Sequence, residues 1–280
     1  EWAADGSFNA AMVQGALLSI DPKVDLSFFY RNISKEYQSP FGNAFTENTL
    51  PSNESGLYTG VLIRPANGWQ LSAYADFYRF PFIKFRVSAP TRGQDYLAQL
   101  THTPDKRTEL YLRFRTENKP LNGSGSVINF PVEQKRTSLR LHLVTHLNSK
   151  LTLKTRAEML WFQKGSLPKE EGFLAFAEFA WEPLLKLRLN TRLQYFETGS
   201  FDSRIYAYES DVLYSFSTPA FFDKGFRIYM NSSFRAGKQL TFWLRIAQTT
   251  YQNKDAVGSD LDLIDGSQRT DIKGQVQWNF

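Results

Sequence analysis

The chain has 280 residues, 15% of them aromatic, a net charge of +5 and no cysteine; that aromatic content with so small a charge excess excludes a disordered chain, and the lack of thiols excludes a disulfide framework, a thiolate metal centre and thiol redox chemistry. Mean hydropathy is −0.40, and apolar runs such as Phe173-Leu174-Ala175-Phe176-Ala177 are soon cut by a charge, so none approaches the ~18–20 apolar residues of a transmembrane helix. No Ser/Gly/Pro linker or shift in composition divides the sequence, so one domain over 1–280 is expected. Glu1-Trp2-Ala3-Ala4-Asp5 is not a signal peptide, and any export signal is expected to have been removed.

The dominant pattern has a period of two. Taken in chain order, it predicts strands near 7–19, 24–33, 54–65, 69–79, 93–104, 107–116, 131–147, 150–162, 170–181, 185–197, 204–216, 225–235, 239–251 and 268–280. In 107–116, Leu110, Leu112 and Phe114 oppose Glu109, Tyr111, Arg113 and Arg115; in 150–162, Leu151, Leu153, Ala157, Met159 and Trp161 oppose Lys154, Arg156 and Glu158. The clearest case sets Leu185, Leu187, Leu189, Leu193 and Tyr195 against Lys186, Arg188, Asn190, Arg192 and Gln194. Short turns, among them Asp21-Pro22-Lys23, Pro104-Asp105-Lys106, Leu147-Asn148-Ser149-Lys150, Glu182-Pro183 and Ala236-Gly237-Lys238, alternate with long polar loops at 34–53, 80–92, 117–130, 163–169 and 252–267.

Long strands with one apolar and one polar face, and connectors that segregate by length, predict an all-β fold: an antiparallel transmembrane β-barrel of about 14 strands. A soluble β-sandwich also alternates. The length of the strands and the aromatics near their ends, such as Trp69, Trp161, Trp181 and Trp278, favour the membrane. In the last segment Ile272, Gly274, Val276, Trp278 and Phe280 share a face. This ending resembles the C-terminal signal of bacterial outer-membrane proteins, so Val276, Trp278 and Phe280 are read as an assembly signal for the barrel-assembly machinery.

If Phe280 lies on the periplasmic side, the short turns are periplasmic and 7–19 runs downward, odd for a first strand. Segment 204–216, alone between two long-loop positions, also breaks the alternation. Either one turn is misassigned or the chain is the C-terminal part of a longer barrel. Further motifs bear on this: Arg31-Asn32-Ile33-Ser34-Lys35-Glu36-Tyr37, Asn53-Glu54-Ser55-Gly56-Leu57-Tyr58-Thr59-Gly60, Trp69-Gln70-Leu71-Ser72-Ala73-Tyr74-Ala75-Asp76 and Arg204-Ile205-Tyr206-Ala207-Tyr208-Glu209. They resemble the C-terminal region of large Bacteroidota helix-hairpin-helix proteins, over most of the chain. The resemblance implies an outer-membrane location and strands upstream of these motifs. It transfers no catalytic residue, and the hairpins behind the family's DNA-linked name are absent here, so no nucleic-acid binding is expected of this segment.

The polar faces carry Arg113, Arg115, Arg140, Arg156, Glu158, Arg188, Arg192 and Arg245, with Arg31, Asp76, Glu178, Glu209 and Asp211. These lumen-lining charges either line a pore, whose basic excess would favour anionic solutes, or pair across strands and fill it; pairing is favoured because long Arg side chains occupy much of such a lumen. A basic excess also suits acidic lipopolysaccharide at the rim. His142 and His146 stand about 13 Å apart along one strand, too far for one ion. There is no GxSxG or HExxH, and Asp260–Asp265 lacks the spacing and terminal Glu of a calcium loop. No catalytic residue, metal or cofactor is expected. The run Asn122-Gly123-Ser124-Gly125-Ser126 reads as a loop tip. Phe80-Pro81-Phe82-Ile83-Lys84-Phe85 is too apolar for a solvated loop, which makes Phe82 and Phe85 a candidate plug or docking loop. The expected role is a scaffold or subunit of a cell-envelope complex; a porin-like channel or transporter is the alternative, and a hydrolase comes third.

Overall fold

The computed structural model describes residues 1–123 and 129–280. Fourteen strands form one sheet whose order follows the sequence: β1 (Trp2–Ala4), β2 (Ala10–Asp21), β3 (Val24–Ile33), β4 (Glu54–Ile63), β5 (Trp69–Phe80), β6 (Thr91–Asp105), β7 (Thr108–Asn118), β8 (Gln134–Asn148), β9 (Leu151–Lys164), β10 (Glu170–Leu184), β11 (Leu187–Thr198), β12 (Lys224–Arg235), β13 (Leu240–Tyr251) and β14 (Gln268–Trp278). The chain divides into two compact units. Unit 1 comprises Glu1–His102, Arg113–Ser138 and Phe162–Lys169; unit 2 comprises Thr103–Leu112, Leu139–Trp161 and Glu170–Phe280.

Local chemistry sets the hairpins. Three short turns begin with a residue whose side chain accepts the backbone N–H two residues on: Asp21 from Lys23 at 2.8 Å, Asp105 from Arg107 at 2.6 Å and Asn148 from Lys150 at 2.8 Å. The turn expected at Glu182-Pro183 lies three residues later, at Leu185-Lys186. β10 runs on to Leu184 with a register shift between Trp181 and Leu184. A bulge tolerates Pro183, which has no N–H for the ladder, so Leu185 falls in the turn, fully exposed, rather than on the strand's apolar face.

Three further expectations are corrected. Segment 204–216 is not a strand of the 14-stranded sheet. Ile205–Tyr206 pairs with Ala220–Phe221, and Glu209 bridges Ser217, so 199–223 is a hairpin inserted between β11 and β12. Nor is the strand expected at 7–19 the first of the sheet: β1 precedes it and is antiparallel to β2, with Trp2 opposite Met12. The strand expected at 131–147 begins at Gln134, while Pro131–Val132 pairs with Leu121–Asn122. Ser124, Gly125 and Ser126 of the loop tip lie outside the described residues.

Burial is inverted relative to a soluble protein. In unit 2, Phe226, Ile228, Met230 and Phe234 of β12 and Phe242, Leu244 and Ile246 of β13 are exposed, while Arg227, Tyr229, Asn231 and Arg245 on the opposite face are buried. Unit 1 repeats this, with Phe28, Leu57 and Phe77 exposed against buried Arg31 and Asp76. A continuous apolar face has no favourable neighbour in water. Lipid supplies one.

Candidate functional site

The polar face of unit 1 is ordered by strand register. One row across it runs Val13, Arg31, Gly56, Tyr78, Gly93. The two glycines have a steric purpose: a Cβ at Gly56 would stand 2.6 Å from the Arg31 guanidinium carbon, and one at Gly93 would stand 2.3 Å from the Tyr78 ring. Their absence lets both side chains lie flat across the sheet. Arg31 Nε donates to Glu54 Oε1 at 2.6 Å, and its terminal nitrogens clamp Asp76 at 2.9 and 3.0 Å. Glu54 also accepts the Glu47 and Asn48 N–H groups at 3.0 and 2.9 Å, which draws loop 34–53 down onto this face. There the Phe45 ring stands 5.1 Å from Phe29 and 5.3 Å from Tyr58. Lys119 Nζ holds Glu47 Oε2 at 3.0 Å. Nearer the short turns, Arg115 pairs with Asp95 at 2.8 Å and Arg113 Nε donates to Gln99 at 2.7 Å. A cavity of about 670 Å³ opens there, lined by Tyr58, Tyr74, Gln99 and Arg113 among others.

Unit 2 carries its own cluster. Glu178 on β10 accepts from Arg192 Nη2 and from Tyr229 Oη, each at 2.5 Å, and pairs with Lys154 at 3.2 Å. The Arg192 guanidinium lies 3.8 Å from the Phe176 ring centre. On β8 and β9, Arg140 reaches Glu158 at 2.9 Å, and Arg156 bonds both Glu158 and the Tyr206 carbonyl.

Hairpin 199–223 completes the cluster. Ser203, Ile205, Ala207 and Glu209 are buried and alternate with more exposed neighbours, so its first arm runs extended against the polar face. Glu209 accepts from Arg227 at 2.7 and 3.1 Å and pairs with Arg245. Asp211 accepts from Lys273 at 2.6 Å, and its carbonyl accepts from Asn231 at 2.9 Å. Although burial opposes ionisation, the Lys273 ammonium, the Val212 N–H and nearby Arg245 hold the Asp211 carboxyl below its ordinary value of 3.8. A lowered folded-state value means the anchor contributes fully above 3.8 and is lost as pH falls below it. Pepsin cleavage within 199–223 is accordingly expected to accelerate between pH 4.5 and 2.5 relative to cleavage in loop 252–267. An unchanged ratio would refute this anchoring.

Of the lumen-lining residues read from the sequence, Arg140, Arg156, Glu158, Arg192 and Arg245 meet in unit 2, and Arg113 and Arg115 pair within unit 1. Arg188 stands apart, exposed near the short turn and paired with Glu182 at 2.7 Å. Sequence reading passed over Arg227, Tyr229, Glu54 and Lys119. The first two were accessible as the polar phase of 225–235; the last two flank long loops, where periodicity carries no information. Val276 and Trp278 lie on the exposed apolar face of β14, opposite Phe242 and Leu240, and Phe280 lies beyond the strand. Phe82 and Phe85 are held on the loop after β5 with their rings exposed.

No family model matches the chain, and no curated protein sequence matches it. Solved structures do. The copper transporter OprC is similar over 100% of this chain and 50% of its own, with TM-score 0.56 at 11% identity. A mutant ferric enterobactin receptor of Pseudomonas aeruginosa is similar over 87% of this chain and 41% of its own, with TM-score 0.55 at 12% identity. The chain thus spans half or less of the length of these structures. At such identities the likeness concerns fold, and with the apolar face and the sequential antiparallel sheet it makes this chain an all-β protein of the outer-membrane β-barrel type, located in the bacterial outer membrane.

Proposed function

We propose that the chain is a closed, non-conducting segment of an outer-membrane barrel that serves as a scaffold or subunit of a cell-envelope complex. The observation that carries this reading is the occupation of the polar face. In each unit a long loop folds onto it and is anchored by a buried carboxylate, Glu54 or Glu209, whose other partners are buried arginines. Side chains engaged in this way neither pass ions nor exchange partners with a solute.

The chain is further proposed to be part of a larger barrel. Strand edges support this. On the apolar face, Ile20 of β2 is 64% exposed and Ile272 of β14 is 68% exposed, against 49% for Ile228 and 43% for Leu244 within the sheet. Past Val13, β2 pairs on one side only. Hydrocarbon supplies no hydrogen bonds to an open edge, and in this reading further strands complete each of them. The resemblance to Bacteroidota helix-hairpin-helix proteins, in which strands precede the matching region, agrees.

A second reading, uptake of a small solute, draws on the 670 Å³ cavity and on the similarity in fold to a copper transporter and a ferric enterobactin receptor. Planar-bilayer recording of the purified protein separates the two. The closed reading expects no conductance steps, together with co-purifying envelope proteins in mild detergent; a lone barrel with steady ion conductance overturns it.

A further inference from the structure

At the long-loop end of unit 1 lies a cavity of about 300 Å³ whose wall includes Lys35, Leu50, Asn53, Phe82, Lys84 and Phe85. The ion-pair clusters use neither of its two conspicuous features. The first is Lys84. Its ammonium lies 3.1 Å over the Phe80 ring and makes no ion pair among the described residues. The nearby carboxylates, Glu47 and Glu54, are committed to Lys119 and Arg31, and Lys119 adds a second positive charge. Burial and Lys119 push Lys84 down to about 8. An aromatic face offsets part of the lost hydration, but the positive charge still lacks a counter-ion.

The second feature is apolar. Phe82 is 47% exposed, Leu50 57% and Phe85 90% around the same opening. A built loop holds these rings in place. The Asn53 amide donates to the Phe82 carbonyl at 2.8 Å and accepts from the Phe82 N–H at 2.9 Å. Lys84 and Val87 exchange backbone hydrogen bonds at 3.0 and 2.9 Å. Lys35 stands 4.4 Å over the Phe82 ring, with Glu36 at 3.2 Å as its exposed partner.

An uncompensated cation, a second lysine and exposed apolar side chains around one cavity complement a molecule with an anionic head and an apolar body. We infer that this cavity binds the phosphorylated headgroup of a membrane lipid, the phosphate on Lys84 and Lys35 and the first acyl methylenes against Phe82 and Phe85. A volume of about 300 Å³ is at the small end of ligand sites and accommodates a headgroup rather than a whole lipid.

Native mass spectrometry of the full chain in neutral detergent tests the inference, with dioleoyl phosphatidate, dioleoyl phosphatidylcholine and inorganic phosphate as probes. One phosphatidate per chain is expected to be retained in preference to phosphatidylcholine. Lys84→Gln combined with Lys35→Gln is expected to cut retention by about tenfold or more, the scale of losing charge-assisted hydrogen bonds, while Lys84→Arg keeps it. Unchanged heat-modifiable gel migration shows that each variant is folded. Equal retention by parent and double variant overturns the site. Displacement of the lipid by excess inorganic phosphate overturns its assignment to a lipid, because the apolar wall would then contribute nothing.

Discussion

Glu209→Ala is expected to lower the midpoint of heat-modifiable unfolding more than any other single change on the polar face of unit 2. The substitution leaves Arg227 and Arg245 buried without their shared carboxylate. Removing one partner of a buried pair costs about 3–5 kcal/mol, because the remaining charge keeps its desolvation penalty and loses its compensation. The effect is also spatially specific. Glu209 is the central link of hairpin 199–223, so its loss is expected to expose that hairpin to protease while loop 252–267 is cleaved at the parental rate. Glu209→Gln retains an acceptor and the side-chain volume and is expected to lie between parent and Ala variant. A Glu209→Ala protein with parental midpoint and protease pattern would show that the hairpin is held by backbone pairing and packing of Ile205 and Phe221 instead.

In unit 1 the corresponding change is Arg31→Ala, for which a loss of the same order, about 3–5 kcal/mol, is expected. Here two carboxylates, Glu54 and Asp76, are left facing each other across the vacated guanidinium, both buried. Glu54 keeps the Glu47 and Asn48 N–H groups, so loop 34–53 is retained in part. Asp76 keeps no comparable partner. Because the penalty is an uncompensated charge, the triple substitution Arg31→Met, Glu54→Gln, Asp76→Asn is expected to recover most of the stability that the single change removes. Urea titration of the refolded proteins, followed by gel migration, checks both expectations. A triple variant as unstable as Arg31→Ala would mean that the arginine acts through packing over Gly56 and beside Phe45 rather than through charge.

These expectations rest on structure that period-two alternation reveals unevenly. Alternation in 185–197 or 239–251 arises because each residue faces either lipid or the polar side, and the two environments differ in transfer free energy at every position. That made strand existence, the two faces, the membrane and Glu209 and Asp211 as polar-face acids legible from residues alone. Turn chemistry was legible where an Asx side chain closes its own turn, as at Asp105 and Asn148. It failed at Pro183, because a bulge depends on the partner strand.

Only the tertiary structure decided which extended segments pair. Segment 204–216 alternates as a strand does, since its first arm also divides a buried side from an exposed one, but backbone pairing partners leave no mark in one segment's periodicity. β1, at three residues, is too short to alternate visibly. The same limit governs the clusters. Each arginine declares itself in the sequence as a polar-face cation; that Arg31 meets Glu54 and Asp76, or that Arg227 and Arg245 share Glu209, follows from register and from loops folded back on the sheet. Residues 18 to 45 positions apart become neighbours there, and charge compensation in a buried site is a property of that neighbourhood, not of any residue in it.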